Sequence, residues 1–315
     1  MSRTAIIGSG FIGRAWAISF ARAGHEVALW DADAAQAEKA RGFIEGVLDD
    51  LNANDLLNGQ TPRQVLARIR PEARLEAALD GVAYVQENTP EKIPVKIEVF
   101  GKLDALAPAD AVLASSTSAI LPSQFTEGLK GRHRCIVVHP INPPYLIPAA
   151  EVVPAPWTSL DIVARTRAFL VAAGHAPLVM KKEIDGFIMN RMQAALVDEA
   201  FRLVEGGYAS AEDVDIGIRD GLALRWSFMG PFETMDLNAP GGVRDYGQRY
   251  EHIFITLAKQ MQKRANWQGP VMDEVERDRR ARVPKDKLAE RQVWRDRRLM
   301  ALVAHKRKAA RDIGE

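Results

Sequence analysis

Short apolar runs separated by longer polar or amphipathic stretches dominate the first 180 residues of the chain. The run at 4–7 is followed by a glycine cluster, by helix-forming residues over 14–22 and by a second apolar run at 26–30, which predicts strand, turn, helix, strand. Further runs at 82–85, 111–114, 135–138, 151–153 and 177–180 continue the series, and most of the gaps are long enough for a helix or a crossover. That alternation predicts an α/β domain built on a mostly parallel sheet. Residues 34–57 lack Pro and are rich in Ala, Glu, Asp and Leu, so a long helix is expected there before the sheet resumes. Beyond Met180 the texture changes. Residues 186–204 place Ile188, Met192, Ala195, Leu196 and Ala200 near helical spacing, and no later segment reads as a strand. The pattern therefore predicts two domains, a sheet domain over 1–184 and an all-α domain over 185–315.

Composition agrees with that division. A chain of 315 residues that is 47% hydrophobic and 26% charged, with a formal net charge of +1, has the profile of a soluble globular protein and not of a disordered or fibrous one. No stretch approaches the roughly 20 apolar residues of a membrane span, and Gly8, Gly10 and Arg14 interrupt the opening segment too early for a signal peptide. A cytoplasmic protein without a membrane partner is expected. Cys135 is the one cysteine and no His/Cys group has zinc spacing, which argues against disulfides and a structural metal. Residues 285–311 hold ten Lys/Arg against three Asp/Glu, yet Val293, Met300 and Val303 can share a helical face. This segment reads as a solvated or subunit-contacting helix, not as a nucleic-acid site.

The first chemistry lies in the glycine cluster. Gly8-Ser9-Gly10-Phe11-Ile12-Gly13 matches GxGxxG directly after a predicted strand and at the start of a predicted helix. In that context Gly8 allows a tight turn, Gly10 lets a pyrophosphate approach the backbone, and Gly13 permits close helix packing, while the first N–H groups from Phe11 and Ile12 onward face the phosphates. Asp31 follows the second run, 18 residues beyond Gly13, where a carboxylate accepts ribose hydroxyls and repels a 2′-phosphate. The expected cofactor is NAD, and the sheet domain is expected to be of Rossmann type.

Ser118, His139, Glu151 and Asn190 stand at the ends of later predicted strands or at the domain boundary. Ligands bind at the carboxyl ends of parallel strands. His139 is a candidate general base for an alcohol, Glu151 can orient its ring, and Ser118 and Asn190 can donate to the substrate oxygen. Spacing alone also allows a turn hydroxyl, a core histidine, an arginine partner and a polar helix residue. The runs Ser115-Ser116-Thr117-Ser118, His139 to Pro143, Glu151-Val152-Val153 and Gly186-Phe187-Ile188-Met189-Asn190-Arg191, in that order after the glycine motif, resemble the 3-hydroxyacyl-CoA dehydrogenase superfamily. Gln86-Glu87, Asn142-Pro143-Pro144-Tyr145 and Gly230-Pro231-Phe232-Glu233-Thr234-Met235 look most like its lambda-crystallin / L-gulonate 3-dehydrogenase branch, and the similarity runs over nearly the whole chain.

The resemblance implies a Rossmann domain followed by a smaller helical domain, NAD as hydride carrier, a homodimer, and a catalytic set of Ser118, His139, Glu151 and Asn190. It also implies Glu87 and Lys92 near the cofactor, with a helix-start carboxylate as the other reading of Glu87, and Asn142 either on the substrate or capping its turn. The sequence departs from the acyl-CoA members at His139-Pro140-Ile141-Asn142-Pro143, which lacks their aromatic pair, and at Leu224-Arg225-Trp226-Ser227-Phe228-Met229. An arginine there suits a free carboxylate, which a thioester does not require. Arg225 is the candidate clamp, against pairing with Asp220 or Glu233. The expected reaction is oxidation of the 3-hydroxyl of a small free 3-hydroxy acid such as L-gulonate. A 3-hydroxyacyl-CoA, carnitine, or a crystallin-like structural role are the alternatives.

Overall fold

The computed structural model describes residues 2–314. The chain divides into two units, one comprising the chain up to Asn190 together with Asp296–Ala304, the other Arg191–Arg295 with the residues from His305 onward. The first unit is an eight-stranded sheet in the order β3-β2-β1-β4-β5-β6-β7-β8. Its strands are β1 (Arg3–Ile7), β2 (Glu26–Trp30), β3 (Ile69–Glu72), β4 (Tyr84–Glu87), β5 (Val112–Ser115), β6 (Cys135–Pro140), β7 (Ala149–Pro154) and β8 (Ala176–Val179). All pairs are parallel except β6 with β7. The exception follows from length: eight residues join these two strands, too few for a crossover.

Helices cover both faces, so the central strands β4 and β5 are buried at every position instead of alternating. On β1, Ile6 packs with Trp16 and Phe20 on one face, while Ala5 and Ile7 pack with Phe100 and Leu103 on the other. The strand order reverses between β1 and β4, and at their carboxyl ends Ile7 lies level with Trp30 and with Glu87. An open sheet of this topology presents its ligand crevice at that reversal.

Three details differ from the pattern-based expectation. The strand β3 was not anticipated, because as an edge strand it buries only Ile69 and carries Arg70 and Pro71. The long helix ends at Ala53, ahead of Asn54 and a left-handed Asp55 (φ 55°), and does not reach Leu57. Part of the terminal helix Leu288–Ile313 belongs to the sheet unit and not to the helical one. Met300 is buried there with Leu299, Val303 and Ala304 against the core, and Arg297 pairs with Asp50 at 3.0 Å.

The second unit is helical. Its core is small, with Val204, Ala211 and Val271 packed by Phe201, Val214 and Val275. The segment from Ala211 to Trp226 runs through a π-helical stretch, Gly217–Leu222, before Arg225. No helix among the described residues is long and apolar enough to cross a membrane.

Candidate active site

The glycine loop is shaped by contacts a side chain would break. Gly8 has φ +89°, its N–H donates to the Trp30 carbonyl at 2.8 Å, and a Cβ there would lie 2.8 Å from the Asn88 carbonyl oxygen. A Cβ on Gly13 would fall 1.9 Å from the Gly8 carbonyl oxygen, so only glycine lets the helix Phe11–Arg22 sit so close to the loop. Gly10 is the opposite case. Nothing lies within 4 Å of its Cβ position, which leaves open space at the start of that helix, where Phe11 and Ile12 turn the first backbone N–H groups outward. Asp31 follows β2, and its Oδ2 accepts from Ser9 N (2.7 Å) and Ser9 Oγ (2.9 Å). These residues fit a dinucleotide: an open, donor-lined phosphate cradle with a carboxylate fixed at its edge.

A partly buried polar network joins the ends of β4 and β5. Ser116 Oγ receives Trp16 Nε1 (3.0 Å) and Gln86 Nε2 (2.7 Å) and donates to Asn88 Oδ1 (2.7 Å). The Asn88 amide then donates to the Gln86 carbonyl at 2.8 Å. With every member satisfied, such a network stiffens the ends of β4 and β5.

His139 and Glu151 face each other across the antiparallel pair β6 and β7, in register. His139 Nδ1 lies 2.7 Å from Glu151 Oε2, with His139 5% exposed and Glu151 fully buried. The other oxygen of Glu151 accepts the N–H groups of Ile188 (2.6 Å) and Met189 (2.8 Å) at the start of the helix Met189–Glu205. Gly186 and Phe187 make this possible with φ of +74° and +50°, turning two successive amides toward one carboxylate oxygen. Phe187 is buried against the imidazole, with ring centroids 5.6 Å apart. The carboxylate therefore fixes the ring, while Nε2 has no hydrogen-bond partner among the described residues.

The residue after Met189 joins the other half of the set. Asn190 Nδ2 donates to the Ser118 carbonyl at 2.6 Å, so Ser118, Asn190, Glu151 and His139 belong to one connected arrangement. Ser118 is exposed, and its hydroxyl makes no hydrogen bond among the described residues.

The remaining sequence candidates separate. Glu87 is a correction: it is fully buried, and its carboxylate is consumed by Lys96 (2.9 Å), Ser115 Oγ (2.6 Å) and Thr89, which leaves it no open surface. Lys92 is exposed just ahead of the helix Ile93–Leu106. Asn142 is exposed, and its side chain caps no turn among the described residues. Arg225 is exposed in the second unit; Asp220 pairs with Arg219 instead, and no ion pair of Arg225 occurs among the described residues. Sequence reasoning passed over Glu91, whose Oε1 accepts from Thr117 Oγ1 (2.5 Å), Ser118 N (2.9 Å) and Ala119 N (3.1 Å). The available signal was the hydroxyl run 115–118, which needs acceptors when it is placed at a strand end. No group of His, Cys, Asp and Glu suited to a metal occurs among the described residues.

Comparison with known proteins decides the family. Residues 3–184 match the family model for the 3-hydroxyacyl-CoA dehydrogenase NAD binding domain, and residues 186–287 match that for its C-terminal domain. The chain belongs to the 3-hydroxyacyl-CoA dehydrogenase family. It is 39% identical to lambda-crystallin of Oryctolagus cuniculus, covering 96% of this chain and 95% of that one. It is 32% identical to an L-carnitine dehydrogenase of a Pseudomonas species, covering 95% and 92%. Among solved structures it resembles 5-formyl-3-hydroxy-2-methylpyridine 4-carboxylic acid 5-dehydrogenase, described as an NAD+ dependent dismutase, with a TM-score of 0.81, 27% identity and 98% of each chain covered. As a member of this family the protein is an NAD-dependent dehydrogenase acting on 3-hydroxy groups. Its α/β sheet domain and helical domain are those of the family fold.

Proposed function

We propose that this dehydrogenase oxidises the 3-hydroxyl of a small, free 3-hydroxy carboxylic acid of the L-gulonate kind to the 3-keto acid, with His139 as general base. The observation that carries the reading is the 2.7 Å contact between His139 Nδ1 and a fully buried Glu151 whose second oxygen is already held by two amides. That arrangement directs the basic Nε2 away from the carboxylate and stabilises the imidazolium that forms when it takes the hydroxyl proton. The Ser118 hydroxyl and the remaining N–H of the Asn190 amide hold the substrate oxygen. A bound NAD would supply the acceptor for the hydride leaving the carbon that bears that oxygen. Gly10, Phe11, Ile12 and Asp31 would hold the cofactor, with Lys92 available to it from the exposed position ahead of the helix Ile93–Leu106.

Two things favour a free acid over a thioester. Arg225 has no ion-pair partner among the described residues, and relatives named L-carnitine dehydrogenase act, by that name, on a free 3-hydroxy acid. Asn142, exposed after β6, is a further substrate contact in this reading. We also propose a cytoplasmic homodimer, because the second unit exposes Tyr250, Phe254, Ile255 and Leu257 along one helix in the single chain. Sedimentation at micromolar concentration should give twice the chain mass.

The deciding experiment follows NADH formation at 340 nm with NAD and matched panels of sugar acids, 3-hydroxybutyrate, carnitine and 3-hydroxyacyl-CoA thioesters. Turnover restricted to the free acids is the expected result. Preferred turnover of the thioesters would overturn the substrate assignment and leave the NAD chemistry in place.

A further inference from the structure

Elements that carry separate parts of the reaction meet at one hydroxyl. Ser116 follows β5, two residues ahead of Ser118. Its Oγ accepts Trp16 Nε1 (3.0 Å) from the helix Phe11–Arg22, whose first turn borders the phosphate cradle, and Gln86 Nε2 (2.7 Å) from β4. The same Gln86 nitrogen reaches the Val138 carbonyl at 3.3 Å, and that carbonyl belongs to the peptide leading into His139. Ser116 in turn donates to Asn88 Oδ1 at 2.7 Å, while Asn88 N donates to the Ile7 carbonyl (2.7 Å), directly ahead of Gly8. A serine hydroxyl can accept two hydrogen bonds and donate one, and Ser116 does all three. The two hydrogens of the Gln86 amide are shared between Ser116 and Val138, and its oxygen accepts Tyr84 Oη at 2.9 Å. Trp16 and Gln86 are fully buried, so an N–H released there has poor access to water.

From this geometry we infer that Ser116 is a positioning residue that keeps the cofactor cradle in register with the base, acting through Trp16 and Gln86. The inference rests on the proposal that His139 is that base. Hydride and proton leave the same C–OH group of the substrate, one toward the cofactor and the other toward His139. Their acceptors depend on β1 and β6, which are separated in the sheet by β4 and β5. Ser116 ties these levels together by side chains, with the cradle helix on one hydrogen bond and, through Gln86, the end of β6 on another. Loss of the hydroxyl would leave Asp31 on Ser9, Glu151 on His139 and Asn190 on the Ser118 carbonyl with their own partners. A displacement of about 1 Å between reacting groups is enough to cost on the order of 10²-fold in rate. The predicted signature is accordingly a fall of that order in the hydride-transfer step, with NAD affinity nearly unchanged.

The test compares Ser116→Ala, Ser116→Thr and Trp16→Phe in the full-length protein. With NAD saturating and enzyme in excess over the fastest 3-hydroxy substrate of the panel, stopped-flow absorbance at 340 nm gives the rate constant of a single turnover. Titration calorimetry gives the Kd of NAD. A folding defect lowers the steady-state rate in proportion to the folded protein but does not move the single-turnover rate constant, so the two roles separate. Ser116→Ala should lower that constant about 10²-fold and leave the Kd of NAD within threefold. Ser116→Thr, which keeps the hydroxyl, should recover most of the rate. Trp16→Phe should cost about tenfold in the native background and under threefold once Ser116 is Ala, because both changes break the same contact. A single-turnover constant within threefold of native in Ser116→Ala overturns the inference, as does equal cost of Trp16→Phe in both backgrounds. So does a Kd for NAD raised more than tenfold with the saturated rate unchanged, which would make Ser116 a cofactor ligand. If Ser116→Ala does not fold, Trp16→Phe alone decides, and a native single-turnover constant there overturns the inference. His139→Ala in the same assay separates the two levels. Full activity in that variant removes the base on which the inference rests, whereas its collapse with Ser116→Ala at the native rate removes only the positioning role.

Discussion

The two units treat their charges and apolar groups in opposite ways. In the sheet unit, the buried ionisable groups around the site are saturated: Glu87 with Lys96, and Glu151 with His139 and two amides. In the helical unit, Trp226 Nε1, Trp267 Nε1 and Arg280 Nη1 are enclosed without a hydrogen-bond partner, while Phe228, Phe232 and Leu237 stand exposed. Away from its site the sheet unit also encloses Ser19 Oγ, Thr166 Oγ1 and His175 Nε2 without a partner, so the contrast is between the site and the helical unit. A paired site is where a reaction can be positioned in advance, and a unit with contacts still to make is where recognition of another molecule is to be expected.

The sharpest way to break that comparison is at the base. His139→Ala should lower turnover by about 10² to 10⁴-fold with the Kd of NAD unchanged, and near-normal NADH production would remove chemistry from the sheet unit. Next in size, Gly13→Ala forces a Cβ to 1.9 Å from the Gly8 carbonyl. It should cost about 3 kcal/mol in urea unfolding and abolish NAD binding, since backbone cannot yield as a side chain can.

A third effect depends on pH. Burial lowers the pKa of His175 from 6.5 to about 4, because its ring is packed against Trp16 with one nitrogen unbonded. The folded form thus favours the neutral ring, and the unfolded chain binds the proton first. Stability from this group is complete above pH 6.5 and declines as pH falls toward 4, by about 2 to 3 kcal/mol in all. Unfolding curves at pH 7 and pH 4.5 should show a smaller decline for His175→Gln than for the native protein. The smallest effect belongs to the helical unit. Arg225→Met should raise KM for the acid about tenfold with little change in kcat, and an unchanged KM would deny the open arginine a part in recognition.

Much of this was legible in the sequence because the relevant signals are local. The apolar runs marked seven of the eight strands, and the glycines with Asp31 marked the cofactor cradle. What escaped depends on partners remote in the chain. Glu87 and Glu91 lie four residues apart, and only the packing of Lys96 and of the loop 115–119 decides which is buried and which reaches Ser118. Phe187 reads as an ordinary core aromatic, and its left-handed backbone follows from Gly186 and the need to aim two amides at Glu151. Strand β3 escaped for a different reason, since an edge strand with one buried side chain carries almost no apolar signal. The placing of Met300 in the sheet unit was hidden by the many charges around it.

The antiparallel pairing of β6 and β7 has a consequence for how such an enzyme can be rebuilt. His139 and Glu151 travel on one uninterrupted hairpin, residues 135–154, so a chimera that exchanges this segment inherits the base and its orienting acid together. Their partnership is a matter of phase. Sliding one strand by a single residue would set Ala150 or Val152 opposite the imidazole and turn the acid to the other face of the sheet. A loop graft between 141 and 148 must therefore return the chain to β7 in step, and must keep Asn142 and the buried Tyr145 and Leu146.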